Sequence, residues 1–111
     1  PDHLAAGEAA IQAVYPDARN PFAFMDLMNE EGLEPWRVKE VWVYAHHTPD
    51  HWVDITETFP KKMAALNAHV SQTAHNKELE RLIREWGERN AGVGGLPVGR
   101  LAEAFKIVNT D

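Results

Sequence analysis

From Val38 to Ala45 the chain is rich in β-branched and aromatic residues, and it alternates, with Val41 and Val43 set against Trp42 and Tyr44. A period of two sends these pairs to opposite faces of a pleated strand. Trp52 to Ile55 reads as a second, short strand, reached through a polar turn from His46 to His51 that contains Pro49-Asp50. Around these strands the period becomes helical. His3 to Val14 is Ala-rich, with Ala6, Ala10 and Val14 spaced by four, and predicts a close-packed helix ended by Tyr15-Pro16. Asp17 to Phe24 is a loop around Asn20-Pro21, and Phe24, Leu27 and Met28 predict a short helix stopping near Gly32. Thr58 is a good N-cap, with Pro60 tolerated in the first turn of a helix whose stripe is Phe59, Met63, Leu66 and Val70. A further helix is expected from about Lys77 to Asn90, capped by Asn76, with Leu79, Leu82, Ile83 and Trp86 on its apolar face and Gly92 at its stop. Ala91 to Arg100, with four glycines and a proline, reads as a flexible loop. Leu101 to Val108 favours a strand, because Phe105 and Ile107 flank Lys106. The fold class is therefore α/β, with helices packed on a few strands.

At 111 residues the chain suits a single domain, 1–111, with 44% hydrophobic and 25% charged residues, as ordinary globular proteins have. Its net charge of -6, from 17 acidic and 11 basic residues, argues against nucleic acid and against an anionic membrane surface as partners. The absence of cysteine excludes disulfides, thiolate metal sites and Cys nucleophiles. No apolar run reaches the ~18 residues of a membrane span, and no leader-like segment opens the chain, so a cytoplasmic location is expected. The chain opens without Met at Pro1-Asp2-His3, as a truncated or processed product would.

Six histidines are present: His3, His46, His47, His51, His69 and His75. Imidazole is a common zinc ligand. Spacing alone assembles no metal site, however: Pro49 and Asp50 separate His47 from His51, and no His-Glu-x-x-His occurs. Asp2 directly precedes His3 at a helix start, where a carboxylate can orient an imidazole or simply cap the helix. Gly92 to Gly95 lacks the strand and the Gly-Lys-Ser/Thr of a phosphate loop. The four tryptophans, Trp36, Trp42, Trp52 and Trp86, fall among apolar residues, which favours the core over a stacking platform for bases or sugars. His46 and His47 occupy the turn after the first strand; in open α/β sheets such turns often face the ligand crevice, which makes them candidate substrate-binding residues.

Several ordered stretches resemble the LmbE/PIG-L family of zinc-dependent N-deacetylases. Pro1-Asp2-His3 with Ala5-Ala6-Gly7 resembles the family's His-Pro-Asp-His-Arg-Ala-x-Gly motif, and Ala18 to Phe24 resembles the loop after it. Gly32-Leu33-Glu34-Pro35 leading into Val38-Lys39-Glu40-Val41-Trp42 is similar to the family's strand entry. His51-Trp52-Val53-Asp54-Ile55-Thr56 with Lys62 through His69-Val70-Ser71-Gln72, and then Ala102-Glu103-Ala104-Phe105, resemble its C-terminal signature and closing strand. The resemblance implies the C-terminal portion of a Rossmann-like deacetylase fold. It also implies a hydrolase that removes the acetyl group from an N-acetylglucosaminyl conjugate, using zinc or another divalent metal held by two histidines and an aspartate. In that reading His3 is the motif's metal-binding histidine and Asp2 its internal aspartate, an orienting partner at the catalytic site. Two departures matter. The motif's first histidine and the family's Pro-His-Pro-Asp-Asp segment have no counterpart in this chain, and Leu4 stands where the family usually has arginine. The chain is therefore expected to be inactive without an N-terminal half, and the metal to be held only once that half completes the site. The alternative is a non-catalytic binding or assembly module derived from a deacetylase, self-associating or pairing with a complementing N-terminal chain.

Overall fold

The computed structural model describes residues 1–111. In chain order it contains helix α1 (Asp2–Val14), a 3-10 turn (Asp17–Arg19), α2 (Met25–Glu31), strand β1 (Glu40–Tyr44), β2 (His51–Asp54), α3 (Phe59–Ala68), α4 (Val70–Thr73), α5 (Leu79–Val93) and β3 (Ala102–Asn109). These residues group into two compact units, one of Pro1–Val41 with Val108–Asp111 and one of Trp42–Ile107. No helix is long and apolar enough to cross a membrane.

In the first unit, α1 forms because alanine dominates it and loses little entropy on becoming helical. It ends at Tyr15, whose backbone turns extended before Pro16. Helix α2 ends at Gly32, which adopts the left-handed conformation (φ 69°) that lets the Leu27 carbonyl accept the Gly32 and Leu33 N–H groups. The Trp36 N–H then donates to the Ala18 carbonyl at 2.7 Å. The C-terminal tail is fastened to the same unit. Thr110 donates its N–H to the Lys39 carbonyl (2.9 Å) and its hydroxyl to the Val38 carbonyl, while its own carbonyl accepts from the Arg19 guanidinium. Neither α1 nor α2 buries a residue, and Leu4 and Trp36 stay 80% and 70% exposed.

The second unit holds the core. β2 pairs antiparallel with β3, His51 opposite Phe105 and Asp54 opposite Ala102. β1 flanks β3 on the other side, giving the order β1-β3-β2. Lys39 bonds to Thr110 while Tyr44 lies against Phe105, so β1 also runs antiparallel to β3. Phe59 and Met63 of α3 and Leu101 before β3 are buried at 3%, 7% and 2% exposure, with Ile55, Leu66, Leu79 and Ile83 packed against them. Each such side chain contributes ~1.5–3 kcal/mol on burial. Gly87 lets α5 approach closely: a Cβ there would lie 3.3 Å from the Leu101 Cβ.

Several elements differ from the sequence expectation. The stripe from Phe59 does not reach Val70, because α3 ends at Ala68. There the Leu66 carbonyl accepts the His69 N–H (3.1 Å) and the Thr73 hydroxyl (3.2 Å), while the His69 carbonyl accepts the Gln72 and Thr73 N–H groups of the short helix α4. Thr58 sits at the N-cap of α3, yet its hydroxyl donates back to the Ile55 carbonyl at 3.3 Å. Asn76 does not cap α5, which begins at Leu79 with Glu78 at its N-cap and no side-chain cap bond; the Asn76 side-chain oxygen instead accepts the Glu78 N–H at 3.1 Å, an Asx turn ahead of the helix. α5 runs past the expected stop to Val93, so Gly92 is helical, and the segment beyond is bonded rather than loose: Leu96 N–H reaches the Ala91 carbonyl at 2.9 Å and Arg100 N–H the Pro97 carbonyl at 3.1 Å. The tryptophans are not core residues as a group. Trp36, Trp42 and Trp86 are exposed to at least 36%, and only Trp52 is substantially covered.

Trp52 is covered because Gly94, at the end of α5, lets its indole lie against the backbone; a Cβ on Gly94 would fall 2.5 Å from the indole Cγ. Gly94→Ala is therefore expected to destabilise by roughly 1–3 kcal/mol through overpacking. Gly92→Ala, with nothing within 4 Å of the added methyl, should instead stabilise by ~0.5–1 kcal/mol, as helical glycine replacements do. Urea unfolding of the two variants checks the opposite signs.

Candidate functional site

The pleat of β1 sends Trp42 and Tyr44 to one face. There they meet Phe105 of β3, with ring centroids 5.4 and 5.6 Å away. The row continues at both ends. His51, opposite Phe105 in the register, meets the Trp42 ring edge-on at 4.7 Å, and Trp86 of α5 meets Tyr44 at 5.5 Å. Five rings from two helix and strand layers thus stand in sequence, at the tilted or edge-on angles that the ring quadrupole favours.

Lys62 of α3 closes one end of this row. Its ammonium lies 2.5 Å from a Glu103 carboxylate oxygen and 5.9 Å from the centroids of both Tyr44 and Trp86. The two charged side chains are only 23% and 28% exposed, so their pairing is less screened than that of the other ion pairs on the chain. Tyr44, Trp86, Phe105, Lys62 and Glu103, with Leu66 and Ile83, line a cavity of about 480 Å³. It is an open hollow on the face of the unit, mainly apolar, with one pair of charged groups beside its rings. A second cavity, of about 360 Å³, lies in the first unit among Ala13, Phe24, Leu27, Met28, Leu33 and Trp36, and is lined mainly by apolar groups.

The residues singled out from sequence lie elsewhere. Asp2 and His3 occupy the first turn of α1 and are exposed; Asp2 there complements the positive end of the helix. His46 and His47 follow β1, and their rings stack 4.4 Å apart. The His46 Nδ1 lies 3.2 Å from both the Thr48 N–H and its hydroxyl. The residue before them, Ala45, is held at φ 54°, a left-handed conformation that costs a non-glycine residue ~1–2 kcal/mol. His69 acts through its backbone, joining α3 to α4. No group of three or more His, Asp or Glu side chains assembles anywhere in the chain. The residues present therefore do not fit a zinc ion by themselves. Lys62 and Glu103 were not found from sequence: they lie 41 positions apart, and only the pairing of β3 brings them together.

Two further carboxylates brace the sheet. Asp54 accepts the Thr56 hydroxyl (2.6 Å) and N–H (2.9 Å), with Arg100 3.4 Å away, and these bonds hold its carboxyl below the ordinary carboxylate range. Asp50 accepts from the Lys106 ammonium (2.5 Å) and the Ile107 N–H (2.9 Å), which lower its pKa likewise.

No family model matches the chain, and no solved structure matches it. A diacetylchitobiose deacetylase of Thermococcus kodakarensis is 36% identical to it over 72 residues, which is 65% of this chain and 26% of that protein. The chain spans about a quarter of the length of this relative. The similarity supports the resemblance to the LmbE/PIG-L deacetylases and marks the chain as deacetylase-related.

Because Asp50 and Asp54 are more acidic folded than unfolded, their contribution to stability is complete above the ordinary carboxylate range, about pH 4, and is lost as pH falls through their lowered values. Urea midpoints measured from pH 7 downwards should therefore drop below about pH 4. The double variant Asp50→Asn/Asp54→Asn should start lower at neutral pH and drop less.

Proposed function

We propose that this chain is the C-terminal half of a single Rossmann-like deacetylase domain, which removes the acetyl group from an N-acetylglucosaminyl conjugate in the cytoplasm. The observation that carries the reading is the 36% identity over 72 residues with a diacetylchitobiose deacetylase, joined to the ordered motifs from Pro1-Asp2-His3 to Phe105. His3 is the chain's contribution to a zinc or other divalent metal site, and Asp2 orients it from the adjacent position. The remaining ligands come from a segment outside these 111 residues, in keeping with the absence of any three-residue ligand cluster within them. His46 and His47 belong to the substrate side: they are adjacent, stacked, and presented on a strained turn, where strain is often kept for function.

The exposed apolar residues of the first unit favour a second reading, a non-catalytic module that assembles with another chain. Helix α1 buries nothing, and Leu4, Phe22 and Trp36 stand at least 70% exposed, more than a lone soluble unit needs to show. In that case the chain alone should self-associate, and sedimentation over a range of concentrations reads this directly. A monomer at every concentration counts against the module.

The deacetylase reading is tested by joining the chain to the upstream half of a related deacetylase that carries the Pro-His-Pro-Asp-Asp segment, then measuring zinc content and acetate release. The joined protein should hold one metal per chain. His3→Ala should remove the metal and lower turnover by more than the ~10–100-fold loss typical of an outer-shell partner, the range expected for Asp2→Asn. A joined protein that keeps His3 yet binds no metal ends the reading.

A further inference from the structure

We infer that the turn from Ala45 to Asp50 is a pH-operated latch, closed while the His46 imidazole is neutral and opened when that ring takes up a proton.

The bond that closes the turn requires a neutral ring. The Thr48 N–H donates to the His46 Nδ1 at 3.2 Å, and the Thr48 hydroxyl lies at the same distance from that nitrogen. An imidazole nitrogen accepts a hydrogen bond only while it carries no proton, which leaves the single ring proton on Nε2. Protonation turns Nδ1 into a donor. The hydroxyl can rotate and accept from it, but the backbone N–H cannot, so two N–H groups then face each other. The same event charges one member of a stacked pair, because the His47 ring lies 4.4 Å from that of His46 with 28° between their planes. Two neutral imidazoles stack without charge repulsion, whereas two imidazolium ions at that separation repel.

The backbone on either side confines the opening to this segment. At one end Ala45 is held at φ 54°, a left-handed conformation that an alanine leaves once nothing enforces it. At the other end Asp50 is fastened to β3. Its N–H donates to the Phe105 carbonyl at 3.0 Å, and its carboxylate accepts from the Lys106 ammonium (2.5 Å) and the Ile107 N–H (2.9 Å). Those bonds hold the Asp50 carboxyl below the ordinary carboxylate range, so the anchor stays ionised across about pH 5 to 8, where histidines change charge. The charged and titratable groups about the turn are His47 in the stack, the Asp50–Lys106 pair, and His51, whose ring lies edge-on to Trp42 at 4.7 Å. One end is strained, the other is anchored, and a single titratable bond lies between them. The latch stands apart from the deacetylase reading; only its effect on a substrate, through His46 and His47, rests on that reading.

The test is an NMR titration of the whole 111-residue chain, without added metal, from about pH 8 to about pH 5, the window in which histidines titrate. It follows the His46 ring, the Thr48 amide and the Ala45 carbon shifts, which report the backbone angle. All three should move with one midpoint. The Thr48 amide should exchange with solvent about five- to tenfold faster in the protonated form, after allowance for the intrinsic pH dependence of exchange, as the loss of one ordinary hydrogen bond requires. His46→Asn keeps an acceptor at the right spacing, since an asparagine oxygen takes the N–H two residues on, but it cannot be protonated. In that variant, with circular dichroism matching the parent, the Thr48 and Ala45 signals should hold their closed values throughout. Thr48 and Ala45 signals that stay fixed while the His46 ring titrates overturn the latch. So does an undiminished pH response in His46→Asn, which assigns the change to another group. Zinc content and acetate release of the joined protein are read separately, so failure of that assay leaves the latch intact, and loss of the latch leaves the assay standing.

Discussion

The backbone of Leu101 donates its N–H to the Thr56 hydroxyl at 2.9 Å and accepts the Ile55 N–H at 2.8 Å, while its side chain packs with Phe59 and Met63 and fits against Gly87. One residue thereby joins the end of β2, the start of α3, the middle of α5 and the entry to β3. The same Thr56 hydroxyl that receives the Leu101 N–H donates to Asp54, so the hydrogen bonds at this junction run from backbone to hydroxyl to carboxylate. Removing any one partner would leave a polar group without its bond in a partly covered place, which costs more than the bond itself contributes. Three small residues, Ala91, Ala102 and Ala104, are buried in the same unit.

The aromatic row depends on that junction. Phe105 and Glu103 sit at alternate positions of β3 only because the strand enters its register at Leu101, and a slip of one residue would send both to the opposite face. With the register held, Glu103 reaches Lys62 on α3, and Phe105 stands between Trp42 and Tyr44. Lys62 spans both features, paired with the carboxylate and placed over two rings. The pocket is thus a product of sheet order. The first unit presents a contrast, since its helices form from local propensity and capping yet bury nothing. The two units therefore differ in how much they bury, the second holding the core and the first leaving its helices exposed.

Much of the secondary structure was legible. Alanine density announced α1, the alternation at 41–44 announced β1, and the Phe59–Met63–Leu66 spacing announced α3. The misreadings share a cause. Gly92 and Gly94 look alike as helix terminators, but one lies inside α5 and the other accommodates an indole from a distant strand. Val70 continues the apolar period of α3, yet that helix stops at Ala68, where the Leu66 carbonyl accepts the His69 N–H and the Thr73 hydroxyl, and a separate short helix begins at Val70. Tryptophans were assigned to the core on hydrophobicity, whereas exposure depends on how many layers a face receives.

The sequence by itself determined which segments could be helical or extended, excluded cysteine chemistry, and carried in order the stretches that resemble deacetylase motifs, because propensity, composition and motif are local properties of the chain. The tertiary structure decided which of the polar residues meet. It left Asp2 and His3 exposed on a first helical turn, stacked His46 on His47, and joined Lys62 to Glu103 across 41 residues. That last contact has no local signature, since strand pairing and helix packing bring together residues whose separation along the chain carries no periodicity to read.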